Sequence, residues 1–346
     1  MSGKFEHFIP ENCALPNATM IGIYDADNIK QGSIKIPSHM LYPTETKLYS
    51  FCALADTHLT YSTANEDFQR ALTYAENNCD FTCIAGDLTS GGTESEMELH
   101  KSIVDTYSPT KPVYAIAGNH ETYDTVSKDY LQNYTGQPLY YSFTKGDDVY
   151  IMLGHYSGGG SWAKFVSQDE IQWLYETLEE NRNKRCFVFI HALPHEHEVG
   201  NPCNSYQRAL VWYVNDNGIG TCVINLLKHY KNTILFHGHS HTRFWLQQFD
   251  KKANYSDSYG YRSVHIPSLS APRNINEDTG LVAEVYAESE GYVVDVFENC
   301  IVLKGRDFID NEKNGVWLPI GTYKIDTTLV EIEANTFTDS TGTITT

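Results

Sequence analysis

Leu48-Tyr49-Ser50-Phe51-Cys52-Ala53-Leu54-Ala55-Asp56-Thr57-His58 is a near-continuous apolar run that ends on a carboxylate and an imidazole. Apolar side chains at odd and even positions alike mark a strand buried on both faces, as in a parallel sheet covered by helices. Open α/β sheets bind ligands beyond the C-terminal ends of their strands. Asp56 and His58 stand at that end.

Downstream the pattern repeats. An amphipathic stripe of Phe68, Leu72 and Ala75 predicts a helix over roughly 66–77. Phe81-Thr82-Cys83-Ile84-Ala85 is a second strand and ends in Gly86-Asp87. Ser95 with Glu98 three residues on predicts a helix start, and Pro109 lies just past its end. A third strand, Val113 to Ala117, ends in Gly118-Asn119-His120-Glu121. Three consecutive strands therefore carry polar ligands at the same end, which is more than loop opening requires.

Tyr140 to Gly154 predicts a hairpin about Lys145-Gly146-Asp147-Asp148. Ser167 to Asn183 predicts an amphipathic helix with Ile171, Leu174, Tyr175 and Leu178 inward. Cys186 to Ile190 is a strand ending at His191. Stretches 209–215 and 223–230 read as helical and lead into Asn232-Thr233-Ile234-Leu235-Phe236-His237-Gly238-His239-Ser240-His241. A turn after Gly238 lets His239 and His241 approach one point, and imidazole is the commonest side-chain ligand of transition metals. The runs 263–267, 280–286, 291–296 and 300–303 read as successive antiparallel strands that imply a second sheet packed on the first.

Two short strands near 20–24 and 32–37 are expected to form an N-terminal extension, residues 1–46, adding edge strands. The main domain is expected over 47–325, and 326–346 reads as a Thr-rich tail or linker. His195-Glu196-His197-Glu198 reads as a solvated loop bordering the site, and Gly158-Gly159-Gly160-Ser161 as a surface turn.

The 25 Lys+Arg against 44 Asp+Glu give a formal charge of -19. A surface that acidic repels phosphate backbones, so general nucleic-acid binding is disfavoured, although bound ions could still attract phosphate locally. No apolar run reaches the roughly 18 residues of a membrane span. With no signal-like N-terminus, the cytoplasm is the default compartment, and export or a virion location stays open. Cys52, Cys83 and Cys186 lie in strand-like runs as reduced core thiols. No paired Cys-x-x-Cys clusters suggest structural zinc.

In chain order the strand ends read Asp56-x-His58, Gly86-Asp87, Gly118-Asn119-His120-Glu121, His191 and Gly238-His239-x-His241. Each short motif is common alone, but the ordered set is specific. It resembles the calcineurin-like metallophosphoesterase superfamily over roughly residues 47–245, and the Gly-His-Ser-His form is more like its cyclic-nucleotide and general phosphodiesterase branches. The resemblance implies an α/β fold, a four-layer αββα sandwich of two mixed β-sheets flanked by helices, with the metal site at strand C-terminal ends. Asp56, His58, Asp87 and His241 would bind one metal, and Asp87, Asn119, His191 and His239 the second, with Asp87 bridging. His120 would be the catalytic non-ligand histidine that contacts phosphate or protonates the leaving oxygen. Asn119, His120 and Arg273 are candidate substrate contacts, although Arg273 also reads as an ordinary surface residue.

The implied cofactors are two divalent or trivalent transition-metal ions. Mn, Fe or Zn all suit a mixed N/O donor set. The implied reaction is hydrolysis of a small phosphodiester or phosphomonoester by in-line attack of a metal-bridging hydroxide. The alternatives are a nuclease on the same site, or a non-catalytic metal-binding scaffold module attached to a larger assembly. One departure stands out. The family pattern often continues Gly-Asp-x-x-Asp, and here Ser90 takes the last position, so the partner that orients His120 is unassigned and Glu121 is a guess.

Overall fold

The computed structural model describes residues 20–24, 30–35, 43–122, 127–154, 166–192, 219–244, 254–258, 260–275, 282–284, 288–309 and 316–334. The loops at 155–162 and 195–198 and the expected helix at 209–215 lie outside the described residues.

Strands β1 (Met20–Tyr24) and β2 (Lys30–Lys35) pair with each other as an antiparallel two-stranded sheet. The first large sheet opens with β3 (Tyr49–Leu54), which leads through α1 (Ala64–Asn78) to β4 (Phe81–Ile84). From there α2 (Glu94–Tyr107) leads to β5 (Val113–Ala115). The three strands are parallel. Helix α2 starts one residue after Thr93, two residues before the expected cap: Thr93 and Glu96 form the reciprocal capping box. The expected pair Ser95 and Glu98 has the same spacing, so the motif alone could not choose between them.

A helix, α3 (Ser127–Thr135), then precedes the hairpin of β6 (Tyr140–Lys145) and β7 (Asp148–Leu153). Helix α4 (Gln168–Glu180), capped by Ser167 and Glu170, leads to β8 (Cys186–Ile190), and α5 (Ile219–His229) to β9 (Thr233–His237). Two short strands, β10 (Tyr255–Ser256) and β11 (Arg262–His265), extend this second sheet, whose order is β10-β11-β9-β8-β7-β6. A small antiparallel pair, β12 (Arg273–Ile275) and β13 (Val282–Glu284), follows.

The last strands correct the sequence reading. Strands β14 (Glu290–Val296), β15 (Cys300–Asp307) and β16 (Val316–Asp326) do not build the second sheet. They complete the first, in the order β16-β15-β14-β3-β4-β5. All seven residues of β14 are buried, which requires a central strand covered on both faces. It fills the open edge of β3 with Val294 opposite Phe51.

Between the sheets lies an aromatic-rich core that includes Phe51, Phe81, Tyr150, Phe187, Phe189 and Phe236. The outer face of the second sheet packs on α4 and α5 through Ile171, Leu174, Leu178 and Leu227. The outer face of the first packs on α1 and α2 through Phe68, Leu72, Met97 and Ile103. The result is the expected four-layer αββα arrangement of two mixed sheets. Tyr175 packs against the core only partly buried. Residues 327–334 stay on the domain: Val330 N–H donates to Asn232 Oδ1 at 2.9 Å, Ile332 N–H donates to Asn183 Oδ1 at 3.1 Å, and Ile332 is buried. Cys52, Cys83 and Cys186 are buried free thiols.

Candidate metal centre

Five strand ends meet at one edge of the sandwich. Asp56 and His58 follow β3, Asp87 follows β4 and Asn119 follows β5, while His191 follows β8 and His239 and His241 follow β9. The first sheet thus supplies four of the expected ligands and the second sheet three. All seven are buried.

Donor atoms of Asp56, His58, Asp87 and His241 lie within 4.8 Å of one another, and so do those of Asp87, His191 and His239. Asp87 belongs to both groups. Its Oδ1 accepts the His120 main-chain N–H at 2.9 Å. Its Oδ2 faces both sides, 3.1 Å from His191 Nε2 and 3.6 Å from His58 Nε2. Asp56 Oδ1 lies 3.1 Å from His241 Nε2. Asn119 Oδ1 and His239 Nδ1 are each 3.1 Å from His191 Nε2, which places Asn119 with the second group.

Local backbone conformation makes this convergence possible. Asp56, His58, Asp87, His239 and His241 all adopt left-handed φ, from 41° to 77°. That region is unfavourable for residues with a Cβ and collects at functional sites. Gly86, just before Asp87, turns the backbone with φ 84°. Gly118 serves a different need, because a Cβ there would stand 2.1 Å from Asp87 Oδ1.

Main-chain carbonyls fix the rings. A carbonyl only accepts, so His191 Nδ1–H donates to Ala85 O at 2.7 Å and His241 Nδ1–H to Ala271 O at 3.2 Å. Each ring therefore turns Nε2 to the centre, the usual way a ligand histidine is oriented. His120 Nδ1–H donates to Ser90 O at 2.6 Å, and its Nε2 lies 3.9 Å from Asp87 Oδ2. The orienting partner is thus the Ser90 carbonyl, and the guess of Glu121 is corrected. Buried Glu121 instead accepts from Thr89 N and Oγ1 and from Gly118 N, tying the β4 and β5 loops together. Sequence reasoning also missed Ser268 and Ser270, whose hydroxyls both donate to Asp56 O at 3.1 Å. Arg273 is half-buried beside the centre, and its N–H donates to His241 O at 2.6 Å.

Burial alone would push the Asp56 carboxyl up, but His241 and His191 hold it below the usual carboxylate range. Asp87 is likewise held well below that range, against burial, by His191, His120 and His58. Burial drives His58 and His239 down to about 3, so both are neutral and able to donate a lone pair. His191 resists burial because Asp87 and Asp56 face it, and it rises to about 9. An ion binding at its Nε2 must displace that proton.

The donor set fits transition-metal ions. It mixes neutral imidazoles with two ionised carboxylates and an amide oxygen. Asp56 Oδ1 is fully buried and, among the described residues, makes no well-aligned hydrogen bond, its nearest polar neighbour being His241 Nε2 at 3.1 Å, a costly state that a cation relieves. Among the described residues no helix is long and apolar enough to cross a membrane.

No curated protein matches this sequence. Among solved structures, GAP50, described as the anchor in the inner membrane complex of Plasmodium, is 12% identical, with 84% of this chain and 91% of that chain covered and a TM-score of 0.50. A conserved predicted phosphoesterase from Streptococcus pneumoniae is 10% identical, covering 80% and 97%, with a TM-score of 0.40. Vacuolar Protein Sorting 29 from Cryptosporidium parvum is 13% identical, covering 80% and 98%, with a TM-score of 0.37. Likeness at such identities concerns the fold alone. The model of the calcineurin-like phosphoesterase family matches residues 49–243, more than half of the sequence and every strand end described above, and the chain belongs to that family.

Proposed function

We propose that the chain is a metal-dependent hydrolase of a small phosphodiester or phosphomonoester, with two ions held on the two ligand groups. The observation that supports this reading is the convergence of seven buried donor residues from five strand ends, with His120 beside them and not among them. Asp56, His58, Asp87 and His241 would hold one ion, and Asp87, Asn119, His191 and His239 the other, with Asp87 common to both. When bound, such ions polarise phosphoryl oxygens and bring the pKa of water toward neutrality.

The chain's own residues do the rest. Asn119 and His120 would contact the phosphoryl group. His120, held by the Ser90 carbonyl through Nδ1, presents Nε2 toward Asp87 and the centre. Protonated there, it donates to the leaving oxygen as a general acid. Arg273, whose main-chain N–H bonds His241 O, would supply a cation to a remaining phosphate oxygen. Asp56 and Asp87 stay ionised because the surrounding imidazoles hold them so.

A nuclease on the same site would need a cationic groove along a nucleic-acid backbone, and the charge of -19 opposes it. A scaffold role draws on the anchor description of GAP50. Against it, a scaffold gains nothing from a buried charged cluster whose desolvation is costly. The test is hydrolysis of an aryl phosphomonoester and an aryl phosphodiester with added Mn²⁺. The wild type turns over at least one of them, and Asp87→Asn loses about a hundredfold or more, as removal of a group from such a centre does. An unchanged rate in Asp87→Asn sinks the proposal.

A further inference from the structure

His265 stands at the C-terminal end of β11, beside β9, and is none of the expected ligands. It is 1% exposed. Its Nε2 lies 2.7 Å from Ser240 Oγ. Ser240 Oγ lies 2.7 Å from Thr242 Oγ1 and accepts the Thr242 N–H at 3.3 Å. Thr242 Oγ1 is 3.4 Å from His265 Nε2, so three buried side chains close a triangle of polar atoms. Nε2 carries one proton or one lone pair, so it shares one hydrogen bond with Ser240 Oγ, and the Ser240 and Thr242 hydroxyls share the second; the third side is a packing contact, Thr242 Oγ1 lying 3.4 Å from both ring nitrogens.

Ser240 is the single residue between His239, at φ 77°, and His241, at φ 58°. Two consecutive ligands thus sit in an unfavourable backbone region on either side of one pinned hydroxyl. His239 belongs to one ligand group and His241 to the other. We propose that His265, acting through Ser240 and Thr242, is a positioning residue that holds His239 and His241 on both ion sites at once. This rests on the reading of the cluster as an ion centre. Without the brace, the flanking residues relax toward negative φ, and both imidazoles swing from their donor positions together. The other supports of this loop reach it singly. Asp56 Oδ2 accepts the His239 N–H at 3.0 Å, and Ala271 O accepts from the His241 ring. The Ser240 N–H also donates to Gly238 O at 3.1 Å, and the Ser240 side-chain contacts act between the two ligands.

The test uses the full chain as wild type, Ser240→Ala, His265→Ala and His265→Gln. Each is stripped with EDTA and titrated calorimetrically with Mn²⁺, and the ion-free Tm is recorded on the same samples. Ser240→Ala and His265→Ala are expected to bind both ions about ten- to a hundredfold more weakly, the usual effect of removing a group that orients ligands. Ser240→Ala removes one hydroxyl and carries the test alone if His265→Ala does not fold. His265→Gln, whose amide reaches the Nε2 position, is expected to recover most of the affinity. A merely structural role lowers the ion-free Tm and leaves the affinity alone. Two ions at wild-type affinity in folded Ser240→Ala, or weakening confined to one ion, overturns the positioning role while sparing the ion centre. A wild type that binds no ion overturns both.

Discussion

Five of the seven expected ligands adopt left-handed backbone conformations although each carries a Cβ. Each costs on the order of 1 kcal/mol or more, and they concentrate where buried carboxylates and imidazoles crowd together. The residues that converge at the candidate centre were legible in the sequence, because Asp, His and Asn at successive strand ends leave a side-chain signature. The supports were not. Ser90, Ala85 and Ala271 act through main-chain carbonyls, which any residue carries. The loss of a carboxylate at position 90 was visible, yet its replacement by the carbonyl of the same residue was not. At this scale His120→Asn is expected to slow hydrolysis of an ester with a poor, alkyl leaving group by about 10²- to 10⁴-fold. An ester with a good aryl leaving group should lose less, because its oxygen needs little protonation. Steady-state rates on the two esters check this; equal losses would contradict an acid role.

Among the elements, α2 links the site to the helical layer. Its capping Glu96 also accepts from Thr60 Oγ1 at 2.8 Å and from Gly91 N at 3.1 Å, joining the loops after His58 and Ser90 to the helix start. Thr93→Ala is expected to cost about 1 kcal/mol, seen as a lower denaturant midpoint with an unchanged slope. Farther along α2, His100 is buried against Phe68, and neither ring nitrogen has a hydrogen-bond partner among the described residues. Burial lowers its pKa from 6.5 to about 4. The unfolded chain therefore takes up a proton near pH 6.5 that the fold refuses until about pH 4. The neutral ring's stability is complete above the first value and is lost as pH falls through the window, by roughly 3 kcal/mol. His100→Leu is expected to raise the Tm in EDTA, with a larger gain at pH 4.5 than at pH 7; a gain independent of pH would contradict this account. Helices and strands were legible from period and caps. Sheet membership of the last strands was not, because burial on both faces, as in β14, says that a strand lies inside a sheet and not which edge it joins. That choice was made by β3, whose buried edge required a partner.

In the whole molecule, two sheets carry the centre between them, so ions that bind it tie β3, β4 and β5 to β8 and β9 and stabilise the fold only when folded. Ions at about a hundred times their dissociation constants each add about 2.7 kcal/mol. EDTA is therefore expected to lower the Tm by about 5–15 °C, an effect absent in Asp87→Asn. The four-layer architecture was implied by the ordered motifs. The docking of residues 327–334 through Asn232 and Asn183 was not, because a Thr-rich stretch with weak alternation carries no sign of the surface it joins. The central claim is that one shared carboxylate gathers two ions, and the most direct measurement is the number of Mn²⁺ ions retained per chain after gel filtration, by elemental analysis. The account predicts two in the wild type and fewer than one in Asp87→Asn. A wild type that retains none or one, or an Asp87→Asn variant that keeps two, would contradict it.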